Sequence, residues 1–339
     1  MASAKTVSLT TCNLFNLNLP GKKMYGRSAW TKDQYDKKIE WMSNRLQRVN
    51  SDVWGFQELW DKKALEKVFS SARVKSKYKL LIPPSTTGKR IVCAGAVKNE
   101  ILKGDPTWIR EFPDELKLQS DGDDPQTPAI EININAFSRP LLRFEIKPHT
   151  QSSNIVVYVS HLKSRLPTQI YREDWYDKPV HSMHSNAVGS AISTIRRTAE
   201  AAALRWILTE EVKNSDVPVV VLGDLNDSQL SNTLNILTEQ PGYLFGLSTG
   251  GTDNGLYSVA TLQEYRSLRD VYYTHIFKNK RESLDHILVS QEFYDNSKKR
   301  IWSFKGMDVY NDHLNDSDHK ETGTTDHGIV KATFQYSPA

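Results

Sequence analysis

Two stretches of this chain hold acids, amides and histidines where packing alone gives a poor account of them. The first is Val217–Ser228, VPVVVLGDLNDS. The apolar run Val219–Leu222 suits a strand buried on both faces. Gly223 ends the run and allows a close approach to the backbone. Asp224 and Asn226 follow, separated by Leu225. On an extended chain the carboxylate and the carboxamide point the same way. Both are weak strand formers and costly to bury unpaired. A turn explains the pair as well as a site does, because Asp and Asn bond their own backbone. The second stretch is Asp326-His327, set directly before the run GIV, where an innocent reading is harder to find.

Other apolar runs carry the same signature. Those before Asn13, Glu58 and His161 end in a polar group, and Asp285 opens the run HILV. If the strands opened by Asp285 and Asp326 run antiparallel to the others, all these groups meet at one end of the fold. Such a set suits hydrolysis of a phosphodiester. That reaction calls for a divalent cation on the non-bridging oxygens, an activated water, and donors for a more negative transition state. Glu58 offers a hard oxygen ligand of the kind Mg²⁺ takes. Asp224 and Asn226 can position water and a phosphate oxygen. His161 and His327 can donate to the phosphate, with Asp285 or Asp326 orienting a histidine. Lys163 and Arg165, just after His161, form a candidate phosphate track.

The positioning elements follow from periodicity. Thr6–Asn13 alternates as a half-buried strand, with Val7, Leu9 and Thr11 on one side. Thr31 caps a helix to about Asn50, whose face is Tyr35, Ile39, Met42, Leu46 and Val49. Asp52–Glu58 is a strand and Lys62–Ser70 a short helix. Strands are predicted at Ile91–Val97, Ile130–Phe137, Leu141–Ile146, Ile155–His161, Leu284–Val289 and Gly328–Thr333. A helix from about Ala191 to Lys213 presents Ile192, Ile195, Ala199, Ala202, Trp206 and Leu208 inward. A shorter one contains Leu230, Leu234 and Leu237. Residues 99–129, 163–190, 240–282 and 305–325 read as insertions or loops, the second as a functional loop. Many short strands with a few helices outside them suggest a two-sheet α/β sandwich in one domain.

Composition sets the limits. The 339 residues carry a net charge of +4, which permits a polyanionic partner without requiring one. No apolar run approaches membrane-spanning length. The start, MASAKTVSL, lacks a signal-peptide core, so the expectation is a cytoplasmic chain or one already processed. Cys12 and Cys93 lie in apolar segments and read as buried free thiols. His181 and His184, and the acids of Asp312–Asp318, read as solvated loops rather than metal sites.

In chain order, Asn13 in TTCNLFN, Gln57-Glu58, Ser160-His161, Gly223-Asp224-Leu225-Asn226, Asp285 in SLDHILVS and Asp326-His327 resemble the endonuclease/exonuclease/phosphatase superfamily. Arg139 in FSRP is similar to the arginine of pancreatic-type deoxyribonucleases. The resemblance runs from about residue 6 to 335. It implies a four-layer α/β sandwich of two mixed sheets packed face to face, with helices outside. It also implies Mg²⁺- or Mn²⁺-dependent phosphoester cleavage. Glu58 would bind the metal, with Asn13 and Asp326 beside it. Asp224 would orient or deprotonate water, and Asn13 and Asn226 would hold the site and the phosphate. His327, steadied by Asp285, would stabilise the scissile phosphate. His161 matches a second histidine of the deoxyribonuclease branch, and Arg139, Lys163 and Arg165 would bind phosphate. Two departures stand out: no acid near Lys89-Arg90-Ile91 pairs with His161, and Thr325 replaces the usual Ser. The expectation is therefore a metal-dependent nuclease acting on DNA, with RNA activity also open. A phosphatase or phosphodiesterase on inositol phosphates or sphingolipids is the alternative. A catalytically inactive binding protein is the remaining one.

Overall fold

The computed structural model describes residues 5–122, 126–239, 255–267 and 272–339. The strands in chain order are β1 (Thr6–Leu17), β2 (Val53–Asp61), β3 (Tyr78–Leu81), β4 (Thr87–Lys98) and β5 (Leu102–Glu111). Next come β6 (Gln119–Ser120), β7 (Ile130–Glu131), β8 (Ala136–Ile146), β9 (Ile155–His161) and β10 (Val219–Asp224). The last six are β11 (Tyr257–Ser258), β12 (His275–Phe277), β13 (Lys280–Glu282), β14 (Asp285–Val289), β15 (Trp302–Tyr310) and β16 (Ile329–Tyr336). Two six-stranded sheets result, in the orders β15-β16-β1-β2-β4-β3 and β11-β14-β10-β9-β8-β5. The small pairs β6-β7 and β12-β13 stand apart from them.

Three apolar clusters define four layers. Val7, Leu9 and Val53 from the first sheet meet Leu142, Val157, Val220 and Leu222 from the second. The outer face of the first sheet, with Cys12, Trp54 and Phe56, is covered by helices α1 (Lys32–Val49) and α2 (Lys62–Ser71). The outer face of the second, with Val156, Val219 and Val221, is covered by α4 (Ser185–Val212) and α5 (Asn232–Thr238). The four-residue α3 (Lys178–His181) precedes α4, while α6 (Val259–Glu264) and α7 (His319–Thr322) come later. Each fully buried aliphatic side chain in these layers contributes about 1.5–3 kcal/mol. Because helices cover its second face, β1 is buried on both sides, not half-buried: Ser8 and Thr10 are buried too. Among the described residues, no helix is long and apolar enough to cross a membrane.

Helix α1 forms where its spacing predicts. Thr31 and Gln34 make a capping box, and Asn50 closes the helix in the left-handed region. Helix α4 turns inward a face that overlaps the predicted one only in part: Ala199 and Leu208 are buried as expected. Ile195 and Trp206 are exposed, while Arg197, Glu200, Ala201, Leu204, Leu208 and Val212 are buried. Charged residues on the inner face broke the apolar pattern, and both Arg197 and Glu200 hold loops near the end of β9. Leu230 lies outside α5 and is exposed.

The predicted insertions contain sheet edges. β5 lies within 99–129 and pairs with β8. The end of β15 lies within 305–325 and pairs with β16. The predicted strand Ile130–Phe137 splits into β7 and the start of β8. Edge strands such as β5 expose half or more of their residues, so they lack the apolar run that marks a central strand. Within 240–282, residues 240–254 and 268–271 lie outside the described residues.

Candidate active site

Strand direction brings the polar strand ends together. β1 and β2 run parallel, as do β9 and β10, while β14 and β16 run antiparallel to their neighbours β10 and β1. In the second sheet one line of register contains His161, Asp224 and Asp285. In the first, Asn13 pairs with Gln57.

Gly223 is required, although for a packing reason. It lies inside β10, and a Cβ there would stand 2.5 Å from the carbonyl oxygen of Ser160. The close approach is therefore between strands, not to a ligand. Both readings of Asp224 and Asn226 hold at once. Asp224 Oδ1 accepts the Asn226 backbone N–H at 3.0 Å, which is the turn. Asp224 Oδ2 accepts from Asn13 Nδ2 at 3.0 Å and faces His161 Nε2 at 3.4 Å and His327 Nε2 at 3.8 Å. Asn226 takes φ of 54° and donates through Nδ2 to Leu162 O at 3.1 Å, tying β10 to the loop after His161.

His327 Nδ1 and Asp285 Oδ2 are 2.8 Å apart. Burial disfavours the His327 cation, but Asp285 and Asp224 outweigh it and raise its pKa well above the usual histidine range. Burial and the charges of Arg139 and His327 push His161 the other way, toward the neutral ring. The two histidines flanking Asp224 are thus shifted in opposite directions. Burial raises Asp224 to about 7, with Asp285 and Glu58 adding to the rise. His161 Nδ1 and Asp285 Oδ1 are buried and have no hydrogen-bond partner among the described residues. Thr325 does what its position asks: its hydroxyl donates to Asn13 O at 2.9 Å and accepts from His327 N at 3.3 Å.

Glu58 takes φ of 60°, a left-handed conformation uncommon outside glycine. The turn breaks the alternation of β2 after Gln57. Glu58 Oε2 accepts the Asn16 N–H at 2.9 Å. Burial raises the Glu58 pKa, and the negative charge of Asp326 raises it further. Two carboxylates near enough to repel each other, Glu58 and Asp326, fit a hard divalent cation. Asn13 is more committed: Nδ2 serves Asp224 and Oδ1 accepts Phe15 N at 2.9 Å, so it braces the site.

Arg139 Nη1 donates to Leu162 O at 3.1 Å, and its charge acts on His161. Lys163 stands in the same basic cluster, its pKa lowered by burial and by Arg139. Arg165 is held by Asp227 at 2.8 Å and by Glu282, and its Nε donates to Asn226 O at 3.1 Å. It braces Asn226.

Four neighbours escape a reading of motifs. Buried Glu200 accepts from Ser138 N at 2.9 Å and Lys163 N at 2.7 Å, so it fixes the segments carrying Arg139 and Lys163. Buried Lys38 donates to Thr324 O at 2.7 Å. Tyr25 packs edge-on against Trp60 at 5.0 Å, and the charges of Glu58 and Arg139 act on its hydroxyl. His275 packs against His327. Only Glu200 and Lys38 leave a trace in the sequence, as charges on otherwise apolar helix faces.

A buried row of Asp, His and Asn lies at one rim of a two-sheet sandwich, an arrangement suited to metal-assisted phosphoester chemistry. The endonuclease/exonuclease/phosphatase family model matches residues 37–327, and the chain belongs to that family. No curated protein matches the chain by sequence. Solved structures share its fold. Humanized D. rerio TDP2 with 14 mutations is 14% identical, covering 98% of this chain and 100% of that one, at a TM-score of 0.58. The human Nocturnin catalytic domain with bound sulfate anion is 14% identical, covering 99% and 97%, at 0.55. A Bacteroides thetaiotaomicron mannosyl-6-phosphatase is 15% identical, covering 97% and 100%, at 0.53.

Proposed function

We propose that the chain is a divalent-metal-dependent nuclease that hydrolyses the phosphodiester bonds of DNA, with RNA as a second substrate. One observation carries the choice of substrate: the basic flank beside His161. Arg139 and Lys163 act on His161 and Arg196 acts on Lys163, while Arg197 is turned inward onto Asp227. A strand places further phosphates on either side of the scissile one, and such a flank meets them. An ester with a single phosphate presents no flanking charges for it to meet.

A divalent cation, Mg²⁺ or Mn²⁺, held by Glu58 and Asp326 with Asn13 alongside, would supply charge neutralisation at the non-bridging oxygens. The chain's own residues do the rest. Asp224 orients the attacking water and takes its proton. Asn13 fixes the Asp224 carboxylate, while Asn226 fixes the loop after His161 and offers its amide to a phosphate oxygen. His327, held by Asp285, donates to the scissile phosphate as its charge grows. His161 serves the opposite oxygen, with Arg139 and Lys163 beside it. Arg165 supports Asn226.

Product analysis tests this reading. The purified chain is incubated with supercoiled plasmid, single-stranded DNA, RNA, mannose 6-phosphate, inositol phosphates and sphingolipid headgroup esters, with Mg²⁺ or Mn²⁺ and with EDTA. Metal-dependent nicked circles or shortened strands are expected. Phosphate release from a small ester without strand cleavage would overturn the nuclease reading. Binding without turnover of any substrate would overturn the enzyme reading as well.

A further inference from the structure

The hairpin β12-β13 lies where the sequence predicts only loop, and its first residues are built into the site. Thr274 Oγ1 accepts the backbone N–H of Leu284 at 3.0 Å and of Asp285 at 3.2 Å. Gly328 N donates to Thr274 O at 2.7 Å. The next residue, His275, forms an antiparallel bridge with His327. Their ring centroids are 4.9 Å apart, tilted by 43°. One ligand-capable atom each from His275, Asp326 and His327 lies within 4.8 Å of the others. The backbone on both sides is hydrogen-bonded, so the imidazole of His275 is carried to Asp326 by structure and not by a free loop.

We propose that His275 is a ligand of the active-site cation, sharing it with Asp326 and giving that position a nitrogen donor. His327 has other work: its Nδ1 is bonded to Asp285 at 2.8 Å, and its Nε2 faces Asp224 at 3.8 Å. Glu58 and Asp326 alone offer hard oxygens, on which Mg²⁺ keeps several waters. An imidazole shifts preference toward the later first-row metals, such as Co²⁺, Ni²⁺ and Zn²⁺. The inference rests on the cation site proposed above, although not on the identity of the substrate.

Calorimetric titration of the full, metal-free chain with Co²⁺, and separately with Mg²⁺, tests it. His275→Phe is expected to weaken Co²⁺ binding about tenfold or more and Mg²⁺ binding less than about twofold. His275→Asn, which adds no bulk, should change the Co²⁺/Mg²⁺ ratio in the same direction. The wild-type chain loaded with Mn²⁺ should show nitrogen modulation in pulsed electron spin resonance, a reading that needs no variant. Unchanged Co²⁺ affinity in both His275 variants, a parallel loss of both metals, or no nitrogen modulation in the wild type would overturn the assignment. So would a Co²⁺ loss that follows His181→Phe instead. Every titration omits substrate, so a failed nuclease assay and a failed ligand assignment remain distinguishable.

Discussion

Asp285 and His327 form a buried pair, Oδ2 to Nδ1 at 2.8 Å, and the far nitrogen of the same ring faces Asp224 at 3.8 Å. The acid fixes the tilt of the ring and leaves Nε2 aimed into the site. Asp285→Asn keeps the shape and removes the charge. It should lower kcat about a hundredfold while KM stays within about threefold, the pattern of an interaction made mainly in the transition state. Steady-state kinetics on a short DNA duplex reads this directly. A rise in KM alone would place Asp285 in ground-state binding.

Lys38 is fully buried, and among the described residues no carboxylate is bonded to it. Its ammonium lies 5.5–5.9 Å from the rings of Phe15, Trp30 and Trp41 and donates to Thr324 O. Burial lowers its pKa to about 8. An isolated buried charge is expensive to keep, and replacing it with an apolar chain of similar size is often neutral for stability. Lys38→Met should therefore leave the thermal midpoint within about 4 °C of wild type. Activity should fall about tenfold or more, because Thr324 leads into Thr325, Asp326 and His327. A large loss of stability with full specific activity in the folded fraction would make Lys38 purely structural.

Glu292 gives a pH signature remote from the site. It is 2% exposed, and Ser290 Oγ donates to its carboxylate. Burial raises its pKa from 4.5 to about 7. The folded state thus favours the neutral acid. Its contribution is fully present below about pH 4.5 and is lost as pH rises through about 7. The loss is on the order of 3 kcal/mol. Urea unfolding at pH 5 and pH 8 should show wild type losing stability relative to Glu292→Gln as pH rises. Parallel pH curves would contradict the assignment.

The parts of this fold that were legible are those where one residue type has one physical use. The run of Val219–Leu222, the cap at Thr31 and the strand ends at His161, Asp224 and Asp285 read correctly, because burial and spacing specify them, whereas β1 and β2 run on past Asn13 and Glu58 to Leu17 and Asp61. The rim at β5 and β15 did not, since an edge strand with one solvated face loses its apolar run. The inner face of α4 was read only in part, at Ala199 and Leu208, for a chemical reason. Glu200 and Arg197 are buried there because backbone amides and Asp227 satisfy them, and a hydrophobic pattern registers such residues as outward. Positions such as His275 and Tyr25 depend on contacts between segments far apart in the chain, which no local window contains.

The central claim is that Glu58, Asp224 and His327 act on one phosphodiester with a divalent cation. Nicking of supercoiled plasmid by wild type and Glu58→Gln, measured across a Mg²⁺ titration, tests it most directly. The account predicts metal-dependent nicking by wild type, none in EDTA, and at least a hundredfold slower nicking by Glu58→Gln at about equal thermal stability. Equal nicking rates for the two proteins, or full wild-type nicking in EDTA, would contradict it.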